Sequence, residues 1–165
     1  NLVLLGMMGV GKSTLGKIVA NKLDIEFVDT DTNIEKSRSM TINEIFKKKG
    51  ENFFRIKEEE EVLKCLKKNN CVIALGGGAF MNQMLRENIL KNAISIWLDL
   101  NIETLDKRVN WNQKRPLLVK GKSHQKLKEL YAVRKNIYKL ANHKIECGKL
   151  SKKDIVKKII ELYEK

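Results

Sequence analysis

Residues Gly6-Met7-Met8-Gly9-Val10-Gly11-Lys12-Ser13-Thr14 follow the apolar run Leu2 to Leu5 and lead into Leu15, Ile18, Val19 and Leu23, which recur at helical spacing. The order is strand, glycine loop, helix. The spacing G-x-x-x-x-G-K-[ST] lets backbone N–H groups wrap a polyphosphate while the following helix directs the positive end of its dipole at the same charge. On this reading Gly9, Val10, Gly11, Lys12, Ser13 and Thr14 hold the phosphates, Lys12 reaches the terminal ones, and the Ser13 hydroxyl binds Mg²⁺. A bland glycine turn has no need of that lysine and serine between a strand and a helix. The phosphates point to ATP or a related nucleotide.

The alternation continues along the chain. Strand-like runs at Leu2 to Leu5, Ile25 to Val28, Cys71 to Leu75, Ile94 to Leu98 and Lys144 to Cys147 are separated by longer helical patterns, which implies a parallel α/β sheet flanked by helices. Thr41-Ile42-Asn43-Glu44 has capping-box spacing, Gly50 suits a helix end, and Ser151 with Asp154 resembles another start. The last helix is expected over about Lys152 to Tyr163. With 165 residues, 42% of them hydrophobic, one domain over 1–165 buries a full core without disulfides or metal. Cys65, Cys71 and Cys147 are odd in number and widely spaced, which argues against a disulfide framework and a zinc site. No stretch resembles a signal peptide or a membrane span, so the chain is expected in the cytoplasm, as a monomer. The net charge of +13 suits nucleic acid, anionic lipid or an anionic small substrate. Runs such as Lys47-Lys48-Lys49 and Lys152-Lys153 read as solvated faces without interleaved aromatics, so no nucleic-acid or membrane partner is expected.

In parallel α/β sheets the ligand lies beyond the carboxyl ends of the strands. Asp29-Thr30-Asp31 follows the second strand, where one carboxylate can hold a cation, directly or through water, and the other can accept a hydroxyl proton. The bland alternative is a helix N-cap. Arg55, in Phe53-Phe54-Arg55-Ile56-Lys57-Glu58, is either a fork for a substrate carboxylate, oriented by Glu58, or one half of an exposed intrahelical ion pair. Gly76-Gly77-Gly78 ends the third strand with bare backbone that a small ligand can approach. The polar, basic stretch of about 110–121 has the character of a lid, with Arg115 placed to close over a transferring phosphoryl group. Tyr131, Arg134 and Tyr138 share one helical stripe; the aromatics read as core, and Arg134 is the odd member. Asn21-Lys22-Leu23-Asp24 spells a guanine-reading sequence but sits at a helix end far from any base. His124 and His143 read as neither metal ligands nor general bases.

Taken together and in order, G-x-x-x-x-G-K-S-T, D-T-D, F-R-x-x-E, G-G-G, R-P-L and Y-x-x-R resemble the shikimate kinase family over nearly the whole chain. The resemblance implies a P-loop kinase fold with a five-stranded parallel sheet in the order 2-3-1-4-5, and transfer of the ATP γ-phosphate to the 3-hydroxyl of shikimate. It also implies that Lys12 and Ser13 bind phosphate and Mg²⁺, Asp31 contacts the substrate hydroxyls and Asp29 assists the metal. Arg55 and Arg134 would hold the substrate carboxylate, Gly77 and Gly78 would line the substrate, and Arg115 would be the lid arginine. Family members often place an arginine near the adenine after the last strand, where this chain has Cys147-Gly148-Lys149. An ammonium does not stack on a base as a guanidinium does. The nearest rival is another small-molecule kinase of the same fold, acting on gluconate or a nucleoside monophosphate. A nucleotide acceptor has no use for two separated arginines on one carboxylate. A P-loop switch or nucleic-acid-dependent ATPase is more distant, since it gives no joint role to Asp31, Arg55 and Arg134.

Overall fold

The structure, a computed structural model, describes residues 1–108 and 123–164. Its strands are β1 (Leu2–Leu5), β2 (Glu26–Asp29), β3 (Cys71–Ala74), β4 (Ile94–Asp99) and β5 (His143–Glu146). Its helices are α1 (Lys12–Leu23), α2 (Thr30–Arg38), α3 (Ile42–Lys49), α4 (Glu51–Leu66), α5 (Gln83–Asn92), α6 (Ile102–Arg108), α7 (Ser123–Tyr138) and α8 (Lys152–Tyr163). The strands form one parallel sheet in the order β2-β3-β1-β4-β5, the arrangement that the alternation and the resemblance imply. The expected lid at 110–121, with Arg115, lies outside the described residues.

The central strands carry unbroken apolar runs because both of their faces are covered. β1 reads Leu-Val-Leu-Leu and β3 reads Cys-Val-Ile-Ala, and every one of these residues is buried. β5 lies at the sheet edge, and only Ile145 of its four residues is buried. Because β1 runs between β3 and β4, the loop that leaves it opens where the ends of those two strands meet. Asp29 is the last residue of β2, one place beyond the expected end, so it leaves the strand facing the ligand side of the sheet.

Local signals fix the helix ends. Thr41 and Glu44 form a complete capping box at α3, and Ser151 caps α8 by accepting from the Asp154 N–H. Asp24 ends α1 in the left-handed region at φ 52°, so Asn21–Asp24 is a helix terminus and reads no base. Packing divides into two clusters. The larger covers both faces of the sheet. A smaller one joins Ile34 of α2, Ile45 of α3 and Phe54 of α4, with Met40, Ile42, Phe46 and Phe53 against them. The helices that bear Asp31, Arg55 and Glu58 are thus held together by apolar contacts of their own. Cys65, Cys71 and Cys147 are buried free thiols, and burial pushes Cys65 up to about 12 and Cys147 to about 11. Among the described residues no helix is long and apolar enough to cross a membrane.

Candidate active site

The phosphate loop is built by glycines that no other residue can replace. Gly6 has φ 141°, and a Cβ there would sit 2.5 Å from the Leu98 carbonyl oxygen of β4. Gly11, at φ 105°, is the N-cap of α1 and offers no side chain to that helix, whose first turn contains no acidic residue. Among the described residues no side chain caps the N–H groups at the start of α1, which leaves them and the helix dipole for an anion. Lys12 Nζ donates to Gly6 O at 2.8 Å and Met7 O at 3.1 Å, which seats the ammonium inside the loop.

Ser13 Oγ donates to Asp29 Oδ2 at 2.5 Å, while Asp29 Oδ1 accepts from the Thr32 N–H at 3.1 Å. The helix cap, which the sequence offered as the bland alternative, therefore does not use up this carboxylate. Asp29 caps α2 with one oxygen and turns the other toward the phosphate loop. A hydroxyl and a carboxylate side by side at a phosphate site fit Mg²⁺, which takes one or two protein oxygens and completes its shell with phosphate and water.

The turn Gly76–Gly78 is the meeting point of the remaining candidates. A Cβ on Gly76 would lie 2.5 Å from Asp31 Oδ1 and 2.6 Å from Glu58 Oε1. On Gly77 it would lie 2.9 Å from Arg134 Nη1 and 3.8 Å from the Gly6 carbonyl oxygen, and on Gly78 it would collide with Arg55 Nη1. Two carboxylates and two guanidinium groups therefore crowd one bare turn next to the phosphate loop. Arg55 bonds Glu51 through Nη2 at 3.0 Å and Glu58 through Nη1 at 2.7 Å, so it is an intrahelical ion pair and a neighbour of the turn together. Glu58 is only 2% exposed. Burial pushes its carboxyl above the ordinary range, against the opposing charges of Arg55 and Arg134. Arg134 is 5% exposed, and among the described residues its Nη1 and Glu58 Oε1 are buried without a hydrogen-bond partner. A buried guanidinium with a spare N–H beside bare backbone is a receptor for an anionic oxygen.

The stripe on α7 divides. Tyr131 donates to Asp99 Oδ1 at 2.9 Å and lines a cleft of about 860 Å³ along β5, which also contains Lys149. Tyr138 and Arg134 turn to the glycine turn, where the Tyr138 hydroxyl donates to Gly77 O at 2.5 Å. Sequence reading placed Tyr138 in the core. It is core by burial, yet its hydroxyl touches the site, and only the tertiary fold reveals that. His124 also gains a partner that the sequence did not suggest: Asp106 Oδ2 lies 2.8 Å from its Nδ1, joining α7 to α6.

A family model described as shikimate kinase matches residues 8–164. The shikimate kinase of Bartonella quintana (strain Toulouse) is 43% identical over 159 residues, which cover 96% of this chain and 76% of that protein. A solved structure of shikimate kinase from Acinetobacter baumannii in complex with shikimate superposes with a TM-score of 0.94 at 34% identity, covering 98% of this chain and 91% of that one. A gluconokinase from Sinorhizobium meliloti, with a TM-score of 0.64 at 14% identity over 99% of this chain and 91% of that one, shares the fold alone. A family match over almost the full length, joined to close sequence and structural likeness, establishes that the chain belongs to the shikimate kinase family.

Proposed function

We propose that this chain, as one domain over 1–165, transfers the γ-phosphoryl group of ATP to the 3-hydroxyl of shikimate, with donor and acceptor meeting between the phosphate loop and the Gly76–Gly78 turn. The observation that carries the reading is the convergence of Asp31, Glu58, Arg55 and Arg134 on that turn beside the phosphate loop. The backbone of Gly9–Thr14 and the start of α1 cradle the phosphates. Lys12 exchanges the Gly6 and Met7 carbonyls for phosphate oxygens and offsets the charge spread over the transferring group. Ser13 and Asp29 hold Mg²⁺, which when bound neutralises the phosphate oxygens. Asp31 accepts the proton of the attacking hydroxyl. Arg55 and Arg134 hold the carboxylate at the other end of the ring, Gly77 and Gly78 lie along it, and Arg115 closes over the phosphoryl group. Glu58 orients Arg55 through its 2.7 Å bond and faces Arg134. We take the monomer as the active unit, acting in the cytoplasm where ATP is available.

The two arginines are expected to fail unequally. Arg134→Ala removes a buried, charge-assisted fork and should weaken shikimate binding by about 2 to 5 kcal/mol. Arg55→Ala should lose less, about tenfold in KM, because its side chain is 33% exposed and water replaces part of the contact. In both variants kcat and the ATP KM should change far less, since the carboxylate is held equally in ground and transition states. The check is steady-state kinetics with shikimate and with an analogue that lacks the carboxylate. Equal losses on both acceptors would remove Arg55 and Arg134 from the carboxylate site.

A further inference from the structure

Two hydroxyls outside the charged cluster bond the backbone of the glycine turn. Thr30, between Asp29 and Asp31, is fully buried; its Oγ1 accepts from the Gly76 N–H at 3.0 Å and donates to Ala74 O at 3.3 Å. It ties the start of α2 to the end of β3. Tyr138 reaches the next residue from α7, donating to Gly77 O at 2.5 Å. Its ring packs on Trp97 of β4 with centroids 6.0 Å apart. Burial raises its pKa to about 12 against the opposing pull of the adjacent Arg134 guanidinium, so the hydroxyl keeps its proton at neutral pH and remains a donor.

These contacts fix the turn at a place where its geometry matters. A glycine turn has few side-chain contacts to hold it, and rotation of the Gly76–Gly77 peptide would move Gly77 against or away from Arg134 Nη1, which already lies 2.9 Å from the Gly77 Cβ position. We propose that Thr30 and Tyr138 are positioning residues that set the gap between the Gly77–Gly78 turn and the Arg134 guanidinium, and thereby set how tightly the acceptor's carboxylate is held. The inference rests on the assignment of Arg134 to that carboxylate. Removing either hydroxyl leaves a buried backbone group of the turn without its partner and lets the turn shift. At Gly77 the disturbance falls at the carboxylate end of the acceptor; at Gly76 it also reaches Asp31, whose Oδ1 lies 2.5 Å from the Gly76 Cβ position. A wider gap to Arg134 should appear in KM for both variants, and Thr30→Val should lose kcat as well.

The test compares Tyr138→Phe, Thr30→Val, Thr30→Ser and Arg134→Ala with the parent enzyme in steady-state kinetics for both substrates. Tyr138→Phe and Thr30→Val should each raise the shikimate KM about tenfold, as expected for one buried hydrogen bond to backbone with its unsatisfied partner. The kcat of Tyr138→Phe should stay within about threefold, that of Thr30→Val should fall further because Gly76 abuts Asp31, and the ATP KM should not move in either. Thr30→Ser keeps the hydroxyl and should restore the parent KM. A merely structural role would lower the melting temperature and the active fraction, and so kcat, without raising KM. If Tyr138→Phe does not yield folded protein, the Thr30→Val and Thr30→Ser pair decides the matter. An unchanged shikimate KM on loss of either hydroxyl, or a Thr30→Ser enzyme as impaired as Thr30→Val, overturns the inference. Should Arg134→Ala leave the shikimate KM unchanged, it is the carboxylate assignment itself that fails.

Discussion

Replacing Lys12 by Ala is expected to lower kcat/KM about 10³-fold or more, with the protein still folded and still binding shikimate. The magnitude follows from what the ammonium opposes. A single preorganised donor aimed at developing charge in a water-excluded site is worth about 10² to 10³ in rate, and a full positive charge on a transferring phosphoryl group can exceed that. Nζ already sits inside the loop on the Gly6 and Met7 carbonyls, so the side chain needs little rearrangement to reach a phosphate, and water cannot substitute at a fixed place with a fixed charge. The measurement is ADP release, accompanied by a melting curve and shikimate titration of the same sample. A Lys12→Ala enzyme with parental turnover would remove the phosphate loop from the mechanism.

The second large effect is expected from Asp31→Asn. Asparagine keeps the shape of the side chain and removes the proton acceptor and its charge, and loss of a positioned general base typically costs about 10² to 10⁴ in rate. The side chain lies at the Gly76 turn with Oδ1 2.5 Å from the position a Cβ would take, so a side chain at Gly76 would displace it. The loss should fall on kcat, with the shikimate Kd changed far less. A loss confined to Kd would make Asp31 a binding residue and leave the proton to another group.

The parts of this site that were legible in the sequence are those built from local signals. The phosphate loop needs its glycines at fixed spacing between a strand and a helix, and the left-handed dihedrals at Gly6, Gly9 and Gly11 show why no substitute would do. The capping box at Thr41 and the helix stop at Asp24 are equally local. Asp29 and Arg55 were legible as candidates but not as single roles. A side chain with two oxygens or several N–H groups can serve two partners, and Asp29 caps α2 while meeting Ser13, as Arg55 pairs with Glu51 and Glu58 while reaching Gly78. Tyr138 and Thr30 were not legible as site residues, because an aromatic at helical spacing and a hydroxyl in a strand-end triplet have common structural uses. Their partners, Gly77 and Gly76, are 61 and 46 residues away along the chain. The same distance problem hid the contact between His124 and Asp106, which only the packing of α7 on α6 creates.

The most direct test of the acceptor assignment is an ADP-release assay of the purified enzyme with Mg²⁺ and ATP, offered shikimate, gluconate, each nucleoside monophosphate and RNA in parallel. Shikimate alone should give ADP above the no-acceptor rate, in equal amount to a phosphorylated shikimate, with the signal lost when Mg²⁺ is chelated. Turnover with gluconate or a nucleoside monophosphate equal to that with shikimate would contradict the assignment of Asp31, Arg55 and Arg134 to a shikimate site.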